Sequence, residues 1–268
     1  MDKRKFLVVV DPSHEEHLAL NRILELIRQR EDRELSIHLF IGFESDDKSD
    51  PDSPDEIVRG RNWRRALLQP LIDLDVEFTA EFFWTKHWQR SIVNAAKRYN
   101  CDVIMLSKSS AENKRGITDS KWALLRRAEC EVVIVGTDSQ GPLKCILASI
   151  NIQTNDPEYE ALNQKILARG KELADFYRAE YHIINAYKDA EDFPDRDRIH
   201  QLTGLPYENI HRDMGKPEGV ILEAVEKVGA DLVILGTKAR HGLRATLRGN
   251  NTGEKIVEKL AVDVMALN

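Results

Sequence analysis

The stretch of this 268-residue chain best suited to hold an anion is Gly236-Thr237-Lys238-Ala239-Arg240-His241-Gly242, followed by Gly249-Asn250-Asn251-Thr252 and a helix start near Glu254. Glycines let a backbone come close to a phosphate, and the open N–H groups and dipole of a helix start favour negative charge. Lys238, Arg240, Arg244 and Arg248 add positive potential to the same stretch. Asn251-Thr252-Gly253-Glu254 also reads as a capping box, with a glutamate three residues after an amide. Two readings therefore stand side by side, a pocket for a nucleotide or other anion and a structural loop.

Other groups carry weaker chemistry. His14-Glu15-Glu16-His17 places two imidazoles three apart on an expected first helical turn, a spacing that can clamp zinc if further ligands converge. A solvent-facing pair is the plainer expectation. His182, His200, His211 and His241 can gather near the second-half loop, although no spacing compels it. Neither a Gly-x-Ser-x-Gly elbow nor a Gly-x4-Gly-Lys-(Ser/Thr) loop occurs, and no nucleophile stands out, so no catalytic residue and no metal ligand is assigned. Trp63, Trp84, Trp88 and Trp122 all fall in the first half, where core or interdomain contacts are the expectation.

Short β-rich runs alternate with helical patterns, which predicts βα units and strands buried on both faces of a parallel sheet. Strands are expected at 6–10, 36–41, 76–83, 103–106 and 132–135, then at 145–150, 180–186, 207–211, 232–235 and 263–267. Helices are expected at 15–29, 63–74, 89–99, 157–177, 217–228 and 254–260. The pattern is written twice. Residues 91–106 align with 220–235, pairing Ile92 with Ile221, Ala95 with Ala224 and Asp102 with Asp231, and Ala19-Leu20-Asn21 recurs as Ala161-Leu162-Asn163. Such a period means duplicated domains. They are placed at 1–138 and 143–268, joined at Asp138-Ser139-Gln140-Gly141-Pro142, with the acidic run 44–56 as a solvated loop.

In an open parallel sheet, ligands bind outside the carboxyl ends of the strands where the order reverses. That directs attention to the loops after the first and fourth strands of each half, with Asp11 and Asn151 after the first. A net charge of -6 argues against nucleic acid as a main partner. Cys101, Cys130 and Cys145 show no C-x-x-C spacing and are expected as buried reduced thiols beside strands, in a cytoplasmic protein. The five-residue apolar run Phe6–Val10 is too short for a signal core or a membrane span.

Gly236, Ala239, Gly249 and Asn250 resemble the Gly-x2-Gly-x9-Gly-(Ser/Thr) loop of nucleotide-binding members of the universal stress protein family, with Ala239 and Asn250 departing from it. With Val10-Asp11-Pro12, the Trp122–Arg127 helix and Gly236-Thr237, the chain is similar to the tandem E branch of that family over nearly its whole length. The resemblance implies two tandem flavodoxin-like domains, each a five-stranded parallel sheet flanked by helices. They would pack as an intramolecular pseudo-dimer, with a homodimer as a further option. It implies a cytoplasmic stress-response role as a ligand-biased binding module with protein partners still to be named. Slow Mg-dependent ATP hydrolysis and a ligand-free scaffold are the alternatives. No cofactor is required; ATP with Mg is the ligand the resemblance offers. Its site would take Asn151 at the base end, where the family has an aspartate, Gly215 at the border, and Gly236, Thr237, Ala239, Gly249, Asn250, Asn251 and Thr252 at the phosphate end. The first half keeps Asp11, as a turn or cap residue, but only Gly116 between Ser107 and Asp119.

Overall fold

The structure, a computed structural model, describes residues 3–30, 34–44, 60–85, 87–108, 119–237 and 252–268. These form two compact units, one taking the described residues up to Val135 and the other those from Gly136 onward. The first unit runs β1 (Arg4–Val10), α1 (Leu18–Arg30), β2 (Leu35–Glu44), α2 (Arg61–Asp73), β3 (Glu77–Thr85), α3 (Trp88–Arg98), β4 (Val103–Ser107), α4 (Asp119–Arg127) and β5 (Glu131–Val135). Its strands are all parallel, in the order β3-β2-β1-β4-β5. The second runs β6 (Cys145–Ile150), α5 (Pro157–Tyr177), β7 (Glu180–Tyr187), α6 (Arg196–Thr203), β8 (Ile210–Met214), α7 (Pro217–Val228), β9 (Leu232–Gly236), α8 (Thr252–Lys259) and β10 (Asp263–Leu267). Its parallel order, β8-β7-β6-β9-β10, repeats the first unit strand for strand.

The aligned segments explain why the halves share residues. In α3 the buried positions are Ile92, Val93, Ala95 and Ala96; in α7 they are Val220, Ile221, Ala224 and Val225. Each large aliphatic among them contributes roughly 1.5–3 kcal/mol by leaving water. Asp102 and Asp231 have a different task. Asp102 Oδ2 accepts the Lys5 N–H at 2.8 Å, and its own N–H donates to the Lys5 carbonyl at 2.8 Å. Asp231 does the same for Cys145, at 2.9 Å in both directions, and also accepts the Lys144 N–H at 2.8 Å. One carboxylate thus staples the amino end of each unit's first strand to the entry of its fourth.

Three expectations change. Helix α1 begins at Leu18, not Glu15, because Asp11 holds residues 11–14 in a turn: its carboxylate accepts the Ser13 N–H at 2.9 Å and its carbonyl the His14 N–H at 3.3 Å. His14 and His17 are therefore not on a helical turn. The strand expected at 207–211 starts at Ile210, since Pro206 feeds a 3₁₀ turn, Tyr207–Asn209, closed by Asn209 N–H to the Pro206 carbonyl at 3.0 Å. Helix α6 was not expected. Asp195 caps it by accepting from the Asp197 and Arg198 amides, and Gly204 ends it at φ 69°, but Ile199 is its single buried residue, too little for a periodic signal.

All three cysteines are free, with Cys101 and Cys145 buried and Cys130 half-buried rather than fully inside. Burial pushes each thiol up to about 11 from 9.0. Since the thiolate is the nucleophile, alkylation of native protein near neutral pH should run about 100-fold slower than that of the urea-unfolded chain. Mass spectrometry of iodoacetamide time courses checks this, and comparable rates would show the thiols to be open. Among the described residues no helix is long and apolar enough to cross a membrane.

Candidate functional site

In the second unit the order reverses between β6 and β9. From β6 the chain turns toward β7 and β8, from β9 toward β10, so a crevice opens at their carboxyl ends. The register Ala148↔Ile234 carries Asn151 to the level of Thr237 across this gap. Asn151 Oδ1 accepts the Gln153 N–H at 3.2 Å, the same turn that Asp11 makes with Ser13. The two half-sites then part. Both Asp11 oxygens are engaged, Oδ1 by the Ser13 N–H and by its hydroxyl at 2.6 Å, and Oδ2 by His14 at 3.1 Å. Asn151 keeps its amide NH2 without a partner among the described residues.

The Asn151 turn is held by a set of amides. Asn163 clamps the Asn151 backbone from both sides, accepting its N–H at 3.1 Å and donating to its carbonyl at 2.7 Å. Asn185, fully buried at 0 % exposure, accepts the Ile152 N–H at 2.9 Å and donates to Gln153 Oε1 at 2.9 Å. Leaving such a buried amide unpaired would cost about 1–3 kcal/mol. A cavity of about 420 Å³ adjoins the turn, walled by Ile152, Thr154, Asn163 and Lys171 with Arg198 of α6. That volume lies in the ordinary range of small-ligand sites. Two cations, Lys171 and Arg198, line it against one acid, Glu160.

Sequence reasoning missed Asn163, Asn185, Gln153 and Arg198. Asn163 was visible as part of the repeated Ala-Leu-Asn, and Asn185 as a lone polar residue in the apolar run of β7. Arg198 went unseen with its helix.

The other predicted site residues take varied places. A Cβ on Gly236 would lie 2.5 Å from Leu162 Cδ2 and 2.9 Å from its Cγ, so this glycine admits helix α5 against the strand end. A substitution there therefore tests packing before it tests a ligand. At the equivalent position of the first unit, Ser107 Oγ accepts the Ala19 N–H at 3.0 Å and steadies the start of α1. Thr237 is buried, with Oγ1 2.8 Å from Asn268 Oδ1. Gly215, at φ 150°, donates its N–H to the Tyr187 carbonyl at 2.9 Å beyond β8, two strand spacings from β6, and is not brought to the crevice. Thr252 begins α8. Ala239, Gly249, Asn250 and Asn251 lie outside the described residues, as do His241, the four basic residues of that stretch, Gly116 and nearly all of the acidic run 44–56.

Of the histidines among the described residues, only His182 and His211 meet, with Nδ1 and Nε2 3.2 Å apart near the amino end of β7 and away from the crevice. His200 instead faces the Leu205 carbonyl at 2.7 Å and stacks on Tyr207. His17 sits edge-on to Trp63, while Trp122 is buried in the first unit. No group of three or more His, Cys, Asp or Glu among the described residues can hold a metal ion.

Two doubly wound parallel units, each opening at the carboxyl end of its own first strand, define a tandem α/β protein; the strand order 3-2-1-4-5 in both is that of a mononucleotide-binding half and not flavodoxin's 2-1-3-4-5, because the third strand returns outside the second. The family model described as "Universal stress protein family" matches residues 3–136 and 174–268, and the chain belongs to that family. Curated relatives include the Universal stress protein E homolog of Haemophilus influenzae, 24% identical over 304 residues and covering 100% of this chain and 98% of the relative. Universal stress protein E of Escherichia coli K12 is also 24% identical, covering 98% of this chain and 93% of its own. Among solved structures, a universal stress protein from Pseudomonas aeruginosa UCBPP-PA14 superposes with a TM-score of 0.78 at 24% identity, over 98% of this chain and 92% of that one. One from Archaeoglobus fulgidus gives 0.70 at 14% identity, over 99% and 96%.

Proposed function

We propose that this is a cytoplasmic stress-response protein that acts as a ligand-biased binding module, with its ligand, a nucleotide, entering the second unit at the turn after β6. The observation that carries this reading is the asymmetry between equivalent turns. Asp11 spends its carboxylate on its own loop, whereas Asn151 is held rigidly by Asn163 and leaves an amide NH2 facing out. Such a donor on a pre-organised turn suits the acceptor atoms of a heterocyclic base. The adjoining cavity of about 420 Å³, between α5 and α6, supplies space on the side of the turn away from β9, where the base end would sit. Gly249 and Asn250 would receive the phosphate end, as the family resemblance implies. Ligand occupancy would then bias which partner the protein binds, without turnover.

Thermal melting of nucleotide-stripped protein with and without Mg-ATP tests the reading. Ligand at about 100 times its Kd stabilises by ~2.7 kcal/mol, a shift of several degrees. Wild type should show this rise, and Asn151→Ala should lose most of it relative to its own ligand-free melting point. An unchanged wild-type melting point would sink the nucleotide reading.

A further inference from the structure

The duplication lets one buried pair be compared with its own twin. Phe6 pairs with Val103 and Ile37, as Ile146 pairs with Leu232 and Tyr181, so His38 and His182 hold equivalent positions on their second strands. Leu39 pairs with Ala80, as Ile183 pairs with Ile210, so Glu81 of the first unit is equivalent to His211 of the second. Arg98 and Lys227 correspond through the aligned helices.

In the first unit the trio is charge-balanced. Glu81 lies 3.2 Å from His38 Nε2 and accepts two bonds from Arg98 at 2.8 and 2.9 Å, while His38 Nδ1 meets Thr79 Oγ1 at 2.7 Å. A proton added to His38 finds a carboxylate beside it. In the second unit the acid is replaced by an imidazole. His182 and His211 face each other at 3.2 Å with rings stacked at 27°, and one must donate while the other accepts. Only one proton can be added without breaking that contact, since a second would remove the acceptor and set two cations face to face. His182 Nε2 also lies 3.5 Å from Glu180. Lys227 of α7 and Arg196 of α6 add to the repulsion, and Asp213 of β8 opposes it.

We propose that the His182–His211 pair is an acid-sensitive latch on β8, the edge strand of the second unit, holding it to β7 when at most one proton is shared and releasing it when both imidazoles are charged. Burial, His182 and Lys227 all hold His211 below 6.5 in the folded state. A depressed value means the unfolded chain binds the proton more readily. The stabilisation is thus present above about 6.5 and is lost as pH falls through the folded value. Because β8 is joined to the sheet along one side only, the local cost falls on that strand.

Hydrogen exchange at about pH 7.5 and about pH 5, corrected for intrinsic rates, tests the latch through segment 207–214 with β6, 145–150, as internal control. Wild-type protection of 207–214 should fall on acidification by ~threefold or more relative to H211Q, with β6 unchanged. H211E, which restores the first unit's pairing, should keep β8 protected at the lower pH. Protection falling in parallel in wild type and H211Q, or falling equally over β6 and β8, would overturn the proposal. Should H211Q not fold, H182Q breaks the same pair and must give the same loss of pH response.

Discussion

Gly136→Ala should cost the second unit about 3 kcal/mol or more, because the clash it creates is with main chain and not with a movable side chain. A Cβ at this position would stand 1.9 Å from the Ala261 carbonyl oxygen, 2.5 Å from its carbon and 2.6 Å from the Val262 carbonyl carbon. No rotamer relieves contacts of that kind. The surrounding backbone is also pinned: the Gly136 N–H donates to Asp263 Oδ1 at 3.1 Å, and the Asp138 N–H to the Ala261 carbonyl at 3.0 Å. Moving residues 261–262 aside would surrender these bonds and disturb β10, which is buried along its whole length. Urea unfolding followed by exchange of the β10 amides measures the loss. A change within about 0.5 kcal/mol, the range of an ordinary surface substitution, would refute the close approach.

The second large effect is expected at the staple. Asp231→Ala removes the acceptor of the Lys144 and Cys145 amides and should destabilise by about 3 kcal/mol, given ~1.5–3 kcal/mol for each bond to a charged group and incomplete additivity. Asp102→Ala, which frees only the Lys5 N–H among the bonds described for its carboxylate, should cost about half as much. Asp231→Asn retains an acceptor oxygen and should recover a good part of the loss. Denaturant midpoints of the three variants rank them directly. Equal losses from the two alanine variants, or an Asp231→Asn protein no more stable than Asp231→Ala, would show that the carboxylates matter for some reason other than these bonds.

Fold and duplication were legible because they rest on long periodic signals. The buried β4 and β9 read as unbroken apolar runs, and α3 and α7 repeat the same apolar face, so their places in the sequence and in the structure coincide. Local hydrogen-bond competition was harder to see. The Asp11 turn displaced the start of α1, and Pro206 delayed β8 by a 3₁₀ turn, each through a few backbone bonds that periodicity does not register. Gly236 illustrates the limit at the site. A glycine tolerated for phosphate and a glycine required by Leu162 look identical in one sequence, and only the contact in space separates them. The reverse holds for Asn163, a residue repeated in both halves whose role as a clamp depends on a turn twelve positions away.

The staple has a consequence for how the two copies have drifted. At the amino ends of the strands, Asp102 and Asp231 still make the same bonds, so exchange there is held in check by folding in both copies. At the carboxyl ends, Asp11 and Asn151, Ser107 and Gly236, and Lys108 and Thr237 have all gone separate ways. Along the first and fourth strands, the amino ends have thus served as an inherited chassis and the carboxyl ends as the ground on which the two copies parted.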